Sequence, residues 1–266
     1  TDDTWQTAAT IGRRDTVLPP FEPLRAQEDI ITTYAKTCRY AGSSLPATIS
    51  AWDQPLLAAP VRVLASTPAG PLAFNPGSLH CAAASDVQAE LAGSLAGDGL
   101  DVQTRVVARY DGTLWHTLRF AARPGLQLTG LRIEIPLMPA QAEYLCWIAP
   151  ARVRERWDYG ALPQGEGRVW ADEFLPALWI GTEDCGLGWY AESDEHWDIE
   201  GREALTIERR PEETVLSMNI IRAPRSLQGE FTIEFGLQPT PVRPLLPGWR
   251  SAQWLPSADI SRFFHG

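Results

Sequence analysis

The sequence has very little lysine, no long apolar run and no closely spaced cysteines. Lys36 is the single lysine among 23 basic residues, so arginine carries nearly all of the positive charge. Arginine suits paired carboxylates and aromatic stacking, but a GC-rich genome produces the same bias, and no motif gathers the arginines at one site. The formal net charge of −10 excludes a nucleic-acid phosphate backbone as an expected partner.

The other absences bear on membranes, metals and the cellular compartment. No apolar run reaches the roughly 20 residues that span a bilayer, so no membrane partner is expected. Cysteines are widely spaced without a CxxC pair, which argues against zinc; they are Cys38, Cys81, Cys146 and Cys185. Disulfides need an oxidising compartment, and buried free thiols are the simpler expectation. Thr1 opens no signal peptide, as expected of a mature or trimmed chain, so localisation stays open, with secretion or the periplasm as candidates.

Helical periodicity is also missing, whereas turn residues are abundant. The 22 prolines and 21 glycines are evenly spread, which favours short strands joined by turns. Residues 102–120 predict a β-hairpin around Asp111-Gly112, and 131–135 alternates strictly until Pro136, which should end that strand or mark a sheet edge. A weak helical pattern occurs at 86–93. Further strands are expected at 29–40, 47–52, 60–65, 178–180, 188–191, 204–208, 214–221 and 231–237.

This pattern predicts an all-β fold, namely a large two-sheet antiparallel β-sandwich with few or no helices, resembling a supersandwich. About a dozen short strands without intervening helices pack as antiparallel sheets face to face. The length of 266 residues exceeds a simple immunoglobulin sandwich. We expect an extended lead-in segment at 1–23, the sandwich at 24–244, and a C-terminal tail or linker at 245–266.

The densest carboxylate cluster lies at residues 192–198. It comprises Glu192, Asp194, Glu195 and Asp198, with His196 and Trp197 among them. One hypothesis is a glycosidase acid/base pair, which flanks the scissile bond. Another is a calcium site, which needs several oxygen ligands on one loop. We favour a third, a solvated or interface loop whose acids pair with Arg202, Arg209 or Arg210. Accordingly no catalytic residue, metal ligand or cofactor is assigned, and calcium is left as an alternative.

The same region supplies candidate carbohydrate-binding or domain-interface residues. They are Trp189, Tyr190, Glu192, Asp194, His196 and Trp197. Trp189 and Tyr190 are consecutive, so their side chains should point to opposite faces of a strand, one toward the core and one toward the surface. The chain has 11 tryptophans, which suit either a wide inter-sheet core or a sugar-binding surface.

Three other features are candidates for sites. His116 follows Trp115 on a strand, and a lone strand histidine is usually structural. Trp147, Trp157 and Tyr159 flank a basic stretch that suits either an acidic sugar or a loop edge with ordinary ion pairs, and we favour the loop edge. No Gly-x-Ser-x-Gly motif surrounds a serine, which excludes a nucleophile elbow.

Three segments resemble one known family of domains. The first is Phe21-Glu22-Pro23-Leu24, followed by Leu45-Pro46-Ala47-Thr48-Ile49 and Leu56-Leu57-Ala58-Ala59-Pro60. The second runs from Trp179-Ile180-Gly181 to Gly186-Leu187-Gly188-Trp189-Tyr190-Ala191-Glu192-Ser193-Asp194, then Trp197. The third is Phe235-Gly236-Leu237-Gln238-Pro239-Thr240-Pro241-Val242-Arg243-Pro244. In order and spacing they are similar to the N-terminal β-sandwich domain of family-123 glycoside hydrolases and their poorly characterised relatives.

The resemblance implies a role beside a catalytic domain. In that family the sandwich precedes a (β/α)-barrel, whose adjacent acidic pair performs substrate-assisted cleavage of N-acetylhexosaminides. A barrel needs about 250 residues, and too few follow Pro244, so the acidic pair cannot be carried over. The expected function is a non-catalytic domain that supports a barrel and contributes to its substrate cleft, with carbohydrate and a barrel domain or partner chain as partners.

Two alternatives remain at this point. The chain is a free-standing carbohydrate-binding module if it presents an exposed platform of aromatic rings, and it is an enzyme in its own right if two carboxyls of the 192–198 loop converge in a groove. An apolar face without sugar-like geometry would instead indicate a docked domain.

Overall fold

The computed structural model describes residues 15–41, 43–75, 77–149, 156–201, 203–227 and 229–243. Within these ranges the chain forms 22 β-strands, one short 3-10 helix and no α-helix, which confirms the all-β prediction. No helix of the described part is long and apolar enough to cross a membrane. The start of the lead-in and the tail at 245–266 lie outside these ranges, so the predicted domain limits stay predictions.

The strands are short and follow one another closely along the chain. They are β1 Arg25–Gln27, β2 Ile30–Thr33, β3 Lys36–Arg39, β4 Thr48–Ala51, β5 Gln54–Pro55, β6 Arg62–Thr67, β7 Gly70–Pro71, β8 Ser78–Ala84, β9 Gln88–Leu95, β10 Leu100–Arg109, β11 Leu114–Ala122, β12 Gln127–Leu128, β13 Gly130–Leu137, β14 Tyr144–Ala149, β15 Arg156–Ala161, β16 Gly167–Asp172, β17 Ala177–Gly181, β18 Gly186–Tyr190, β19 Leu205–Arg209, β20 Thr214–Ile221, β21 Arg225–Ser226 and β22 Glu230–Thr240. The 3-10 helix spans Pro139–Gln141.

The strands pair into one large sheet and three smaller ones. The largest is nine-stranded, in the order β15-β14-β17-β18-β22-β11-β10-β9-β8, and a six-stranded sheet has the order β16-β19-β20-β13-β6-β7. A five-stranded sheet runs from β1 to β5, and β12 pairs with β21. Neighbouring strands are antiparallel throughout, for example β10 with β11 and β13 with β20. The architecture is therefore the large antiparallel sandwich that the sequence predicts, but the described strands form four sheets where two were expected.

Alternation along the strands creates the core between the sheets. On β10, Val102 and Val106 are fully buried while Gln103 and Arg105 are exposed. The inner face of the nine-stranded sheet contacts the six-stranded sheet through Trp189, whose indole N–H donates to Met218 Sδ at 2.9 Å. It meets the five-stranded sheet where the Tyr40 and His116 rings approach each other. The nine-stranded sheet thus forms one layer, the six- and five-stranded sheets face it, and one apolar core lies between them.

Lys36, the only lysine of the sequence, connects the five-stranded sheet to the turn between β10 and β11. Lys36 Nζ donates to the carbonyl oxygens of Asp111 at 3.2 Å and Val242 at 2.9 Å. Its side chain crosses Gly112, whose φ of 92° belongs to the turn between β10 and β11. Burial lowers the Lys36 pKa to about 8, with the Asp111 charge opposing that change. The antiparallel pairing of β10 with β11 confirms the predicted Asp111-Gly112 hairpin, and its turn also serves as a contact between layers.

Two local expectations differ from the structure. The segment with the weak helical pattern at 86–93 lies mostly in strand β9, Gln88–Leu95. It is a strand because Ala89 and Leu91, two residues apart, fill the core from one side. Pro136 neither ends β13 nor lies on an edge strand, since β13 continues to Leu137 between β20 and β6. Its carbonyl accepts from Ala58 on the side where the pairing with β6 has already ended at Glu134. Proline has no N–H, but in any other residue the N–H would point to the same side as this carbonyl. Because β6 no longer pairs there, the proline costs the sheet no hydrogen bond.

His116 is a buried structural histidine, as predicted. It is fully buried on β11 and stacks on Phe235 with ring centroids 4.9 Å apart. Its Nε2 lies 3.4 Å from the Tyr40 hydroxyl. Burial lowers the His116 pKa to about 3, against a weaker opposing hydrogen bond with the Leu114 backbone. The imidazole is therefore neutral at physiological pH, while in the unfolded chain it titrates near 6.5.

This difference predicts an acid-dependent loss of stability. Because the unfolded chain binds the His116 proton more tightly, the free energy of unfolding falls as pH decreases from 6.5 toward 3. Between pH 7 and pH 5 the expected loss is about 2 kcal/mol. The variant His116→Phe keeps the ring stack and should remove this loss, whereas His80→Gln, at an exposed position, should retain it. Urea unfolding at both pH values measures the effect, and an unchanged pH dependence in His116→Phe would contradict it.

Candidate functional site

The loop after β18 begins at a buried tryptophan and an outward tyrosine. Trp189 is 1% exposed in the core, whereas Tyr190 points to the outer face and is partly exposed, so the prediction of opposite faces is confirmed. Trp197, on the far side of the loop, is also buried. Its ring packs edge-on against Phe174 at 5.1 Å and against Trp189 at 6.5 Å between centroids. These aromatic contacts hold the base of the loop in the core.

Asp198 fixes the end of the same loop through backbone hydrogen bonds. Its Oδ2 accepts from the N–H groups of Arg222 at 2.7 Å and Ala223 at 3.1 Å. The Arg222 guanidinium in turn donates to the Asp198 carbonyl. Arg225 donates to the His196 carbonyl at 2.8 Å and places its guanidinium 3.9 Å from the Asp198 carboxylate. The carboxylate of Asp198 is therefore a structural anchor of the loop.

The remaining acids of the cluster lie around a groove. Glu192, Asp194 and Glu195 are exposed, and Glu195 lies 3.7 Å from His196 Nε2. The groove has a volume of about 400 Å³ and runs between this loop and the first half of β22. Its lining consists of Glu192, Ser193, Glu195, His196, Trp197, Glu230, Phe231, Thr232, Ile233 and Glu234. Three of the six candidate residues are thus brought together in the groove, whereas Asp194, Trp189 and Tyr190 lie outside its lining.

The groove exists because β22 is longer than its neighbour. Strand β18 pairs with residues 236–240 of β22 and ends at Tyr190. Residues 230–235 therefore have β11 as a neighbour on one side, and the acidic loop lies on the other. Along this segment Glu234 accepts from the Thr117 hydroxyl at 2.7 Å, and Glu230 pairs with Arg119.

Two of the three predicted arginine partners, Arg209 and Arg210, contact other groups in the structure. Arg209 donates to the carbonyl oxygens of Pro163 and Ala142, and Arg210 pairs with Glu208 and Glu213. Arg202 lies outside the described residues. Arg222 and Arg225 anchor the loop instead, because the sheet brings them beside Asp198 although they follow it by more than 20 residues. Among the residues that the structure describes, no group of three or more His, Cys, Asp or Glu side chains is placed to hold a metal ion.

A second feature, which sequence reasoning missed as a unit, is an aromatic face on the outer side of the nine-stranded sheet. Cross-strand pairing places Tyr159, Cys146, Trp179 and Gly188 in one row. Ala177, Tyr190, Gly236 and Trp115 form the adjacent row. Residues paired in register share one side of a sheet, so the rings of Trp115, Tyr159, Trp179 and Tyr190 lie on the same side and together are called the aromatic face. Tyr159 is 81% exposed and the other three are partly exposed.

Glycines allow these rings to lie across the sheet. A Cβ added at Gly236 would be 2.1 Å from Tyr190 Cζ, and Cβ atoms at Gly181 and Gly186 would be 2.3 and 2.5 Å from Trp179 Cζ2. The rings therefore occupy the space that any other residue's side chain would take. The glycines of two resemblance segments thus have a physical reason, which is close approach of an aromatic ring to the strand backbone.

The basic and aromatic stretch near Tyr159 divides between the two sides of the sheet. Trp147 points inward and packs against Trp170 at 6.0 Å, while Tyr159 joins the aromatic face. The basic stretch comprises Arg152, Arg154 and Arg156. Arg152 and Arg154, and the side chains of Arg156 and Trp157, fall outside the described part. The four cysteines are free thiols, as expected, with Cys38 and Cys185 buried.

Another concavity lies on the outer face of the six-stranded sheet. It measures about 730 Å³ and surrounds the buried carboxylate of Glu134. Arg62 and Arg132 each donate to Glu134 at 2.8 Å, and Arg210 lies 3.5 Å away. Burial raises the Glu134 pKa, but these arginines outweigh burial and keep the pKa below its usual value. The charges pair with one another, so this basin contains a structural ion network.

The fold and surfaces define a β-sandwich domain with an acidic loop and an aromatic face. A family model described as glycoside hydrolase 123, third domain, matches residues 24–198. The match covers more than half of the chain, so the chain belongs to this glycoside hydrolase 123 domain family. This confirms the family that the sequence motifs predict. The description counts the domain as the third, and the order of domains, which we expected to begin with the sandwich, stays a prediction.

Comparisons with solved structures agree on the fold. A glycoside hydrolase family 97 enzyme from Pseudoalteromonas sp. strain K8, in complex with acarbose, has a TM-score of 0.51 and 10% identity, covering 79% of this chain and 35% of that chain. A variant of that enzyme in complex with panose gives the same values. The chain thus spans about a third of the length of these enzymes, and at this identity the likeness is one of fold alone. A search of curated proteins found no match.

The anchoring of the loop predicts a local loss of stability in Asp198→Ala. This substitution leaves two backbone N–H groups without their acceptor, so the free energy of unfolding should fall by about 2 kcal/mol. Asp194→Ala, at an exposed position of the same loop, should change it by no more than about 0.5 kcal/mol. Urea unfolding measures both, and hydrogen exchange at the Trp197 amide should accelerate in Asp198→Ala alone. Equal effects of the two substitutions would disprove the anchor.

Proposed function

We propose that this chain is a non-catalytic accessory β-sandwich domain of a glycoside hydrolase and that its acidic loop lines the substrate cleft of a catalytic barrel. The observation that carries the proposal is the combination of a rigid base and an exposed acidic rim at residues 192–198. Trp197 and Asp198 hold the loop from beneath, whereas Glu192, Asp194 and Glu195 remain exposed. Pre-organised polar groups are suited to recognising a ligand with little further ordering.

Carbohydrate is the ligand class that this rim suits. Carboxylates are strong acceptors for hydroxyl donors, and the groove adds the hydroxyls of Ser193 and Thr232. Membership of a glycoside hydrolase domain family supports the same ligand class. The overall charge of −10 favours neutral over acidic sugars, since like charges repel at a shared site.

Catalysis by the sandwich itself has less support. A glycosidase general acid needs a carboxyl whose pKa is raised, usually by an apolar pocket. Three acids of the loop are exposed, and the fourth, Asp198, binds backbone N–H groups. We therefore assign the bond-breaking step to a partner domain, and we expect the loop to contribute to substrate binding.

The test uses the whole native protein that contains this domain, with a chromogenic N-acetylhexosaminide oligosaccharide as substrate. The double variant Glu192→Gln/Glu195→Gln should raise KM about tenfold and leave kcat nearly unchanged, because it removes ground-state contacts distant from the reacting bond. Glu212→Gln, an exposed acid on a different surface, is the matched control and should leave both constants unchanged.

Two outcomes would contradict the proposal. If kcat falls as steeply as kcat/KM, the loop acids act in the transition state and the site is catalytic. If neither constant changes, the loop does not line the cleft. Hydrolysis by residues 1–266 alone, lost in the double variant, would also assign catalysis to the sandwich.

A further inference from the structure

We infer that the aromatic face of the nine-stranded sheet is a platform that binds the flat faces of uncharged pyranose rings in a glycan chain. It is formed by Trp115, Tyr159, Trp179 and Tyr190, and it is distinct from the acidic groove of the proposed function. The inference goes beyond that function, because it requires sugar binding by this domain without a catalytic partner.

The orientation of the rings is the first argument. The Tyr190 ring lies over Gly236, and the Trp179 ring lies over Gly181 and Gly186, at distances that leave no room for a Cβ. One face of each ring therefore covers strand backbone, and the opposite face is directed away from the sheet. Rings used only to fill a core interdigitate with other side chains, as Trp189 and Trp197 do here. Rings laid on glycine present a flat, apolar surface instead.

The polar atoms of the rings are already satisfied within the domain, which is the second argument. Trp179 Nε1 donates to the Thr240 hydroxyl at 2.8 Å. The Tyr190 hydroxyl lies beside the Thr113 side chain, and the Thr113 hydroxyl donates to Gln238 Oε1. Both rings are thus fixed before a ligand arrives, so stacking requires little loss of side-chain entropy. Their π-faces, not their polar edges, are left for binding.

The spacing of the rings extends the surface beyond a single sugar. Trp115 and Tyr190 have centroids 5.6 Å apart, with ring planes tilted by 40°. Trp179 and Tyr190 occupy diagonal positions on adjacent strands, where Cα atoms are about 7–8 Å apart. Tyr159 lies two strands further, across Cys146. The platform therefore accommodates several consecutive pyranose units.

The uncharged character of the platform indicates the class of ligand. The described residues in the two rows between Tyr159 and Trp115 are aromatic, glycine, alanine or cysteine and carry no charge. Polar groups border the platform at Gln238, Thr113 and Asp111, where Gln238 also donates to the Asp111 carbonyl. An apolar surface with a few polar groups at its border is typical of small-molecule sites. It suits the C–H face of a neutral sugar, with hydroxyls reaching the border, where the charges of Asp111 and Arg109 act on Tyr190 in opposite directions. The net charge of −10 disfavours an acidic sugar.

The experiment titrates the full 266-residue chain with chitohexaose and cellohexaose, and with a polygalacturonate hexamer as the charged comparison. Calorimetry gives the affinity, and the tryptophan fluorescence reports whether indole rings are contacted. At least one neutral hexamer should bind, and the charged one should not. Trp179→Ala and Tyr190→Ala should each weaken binding about tenfold, the loss expected for one stacked ring.

Two control variants test whether binding depends on the position of the rings. Tyr34→Ala removes a partly exposed aromatic of the five-stranded sheet and should leave affinity unchanged. Gly236→Ala keeps every ring but displaces Tyr190 from the sheet, so it should weaken binding at least threefold while far-ultraviolet circular dichroism stays the same. Glu192→Gln/Glu195→Gln should not affect this binding, which keeps the test independent of the proposed cleft role.

Several results would overturn the inference. Absence of binding at millimolar neutral hexamer, preference for the charged hexamer, or unchanged affinity in both ring variants would each do so. A face that binds no sugar but becomes protected from hydrogen exchange in the longer native protein is a docking surface for another domain. A face that mediates dimerisation, abolished in Trp179→Ala, belongs to contacts between copies of the chain.

Discussion

Strand β22 is the element on which both candidate surfaces depend, because its two neighbours overlap along only a short part of its length. Strand β11 pairs with residues 230–237 and β18 with residues 236–240. Residues 230–235 of β22, which do not pair with β18, form one wall of the acidic groove. Residues 238–240 of β22, which do not pair with β11, include Thr240, whose hydroxyl accepts from Trp179 and orients its ring. Val242 follows this segment, and its carbonyl accepts from Lys36. A shift of this strand by one residue would exchange its inner and outer faces and abolish both surfaces.

The two surfaces differ in how they are built. The acidic rim is held from beneath by buried aromatic rings and by the Asp198 carboxylate, so rigidity comes from the core while the charges stay in water. The aromatic face is held from its edges, through Thr113 and Thr240, and from below by glycine backbone. In both cases the polar atoms needed for orientation are used inside the domain, and the groups left outside are those suited to a sugar, namely carboxylates at the rim and π-faces on the sheet.

The sequence predicts local structure well and long-range pairing poorly. Alternation identified the hairpin of β10 and β11 and assigned Trp189 and Tyr190 to opposite faces, since a period of two depends on the strand alone. It does not specify which strands become neighbours, so it could not show that Arg222 and Arg225, not Arg209 and Arg210, lie beside Asp198. For the same reason the motif glycines at 181, 186 and 236 gained a physical explanation only when Trp179 and Tyr190 were seen to lie across them. The weak helical pattern at 86–93 failed because sheet partners on both sides of β9 outweigh local preference.

The most direct test of the accessory role is the intact mass of the protein isolated from its native source, compared with the 29.4 kDa of this chain. The account predicts a species larger by about 250 residues or more, the size of a catalytic barrel, or a stable complex with a partner of that size. A native protein of 29.4 kDa that purifies alone would contradict the supporting role, and the sandwich would then have to bind or cleave carbohydrate by itself.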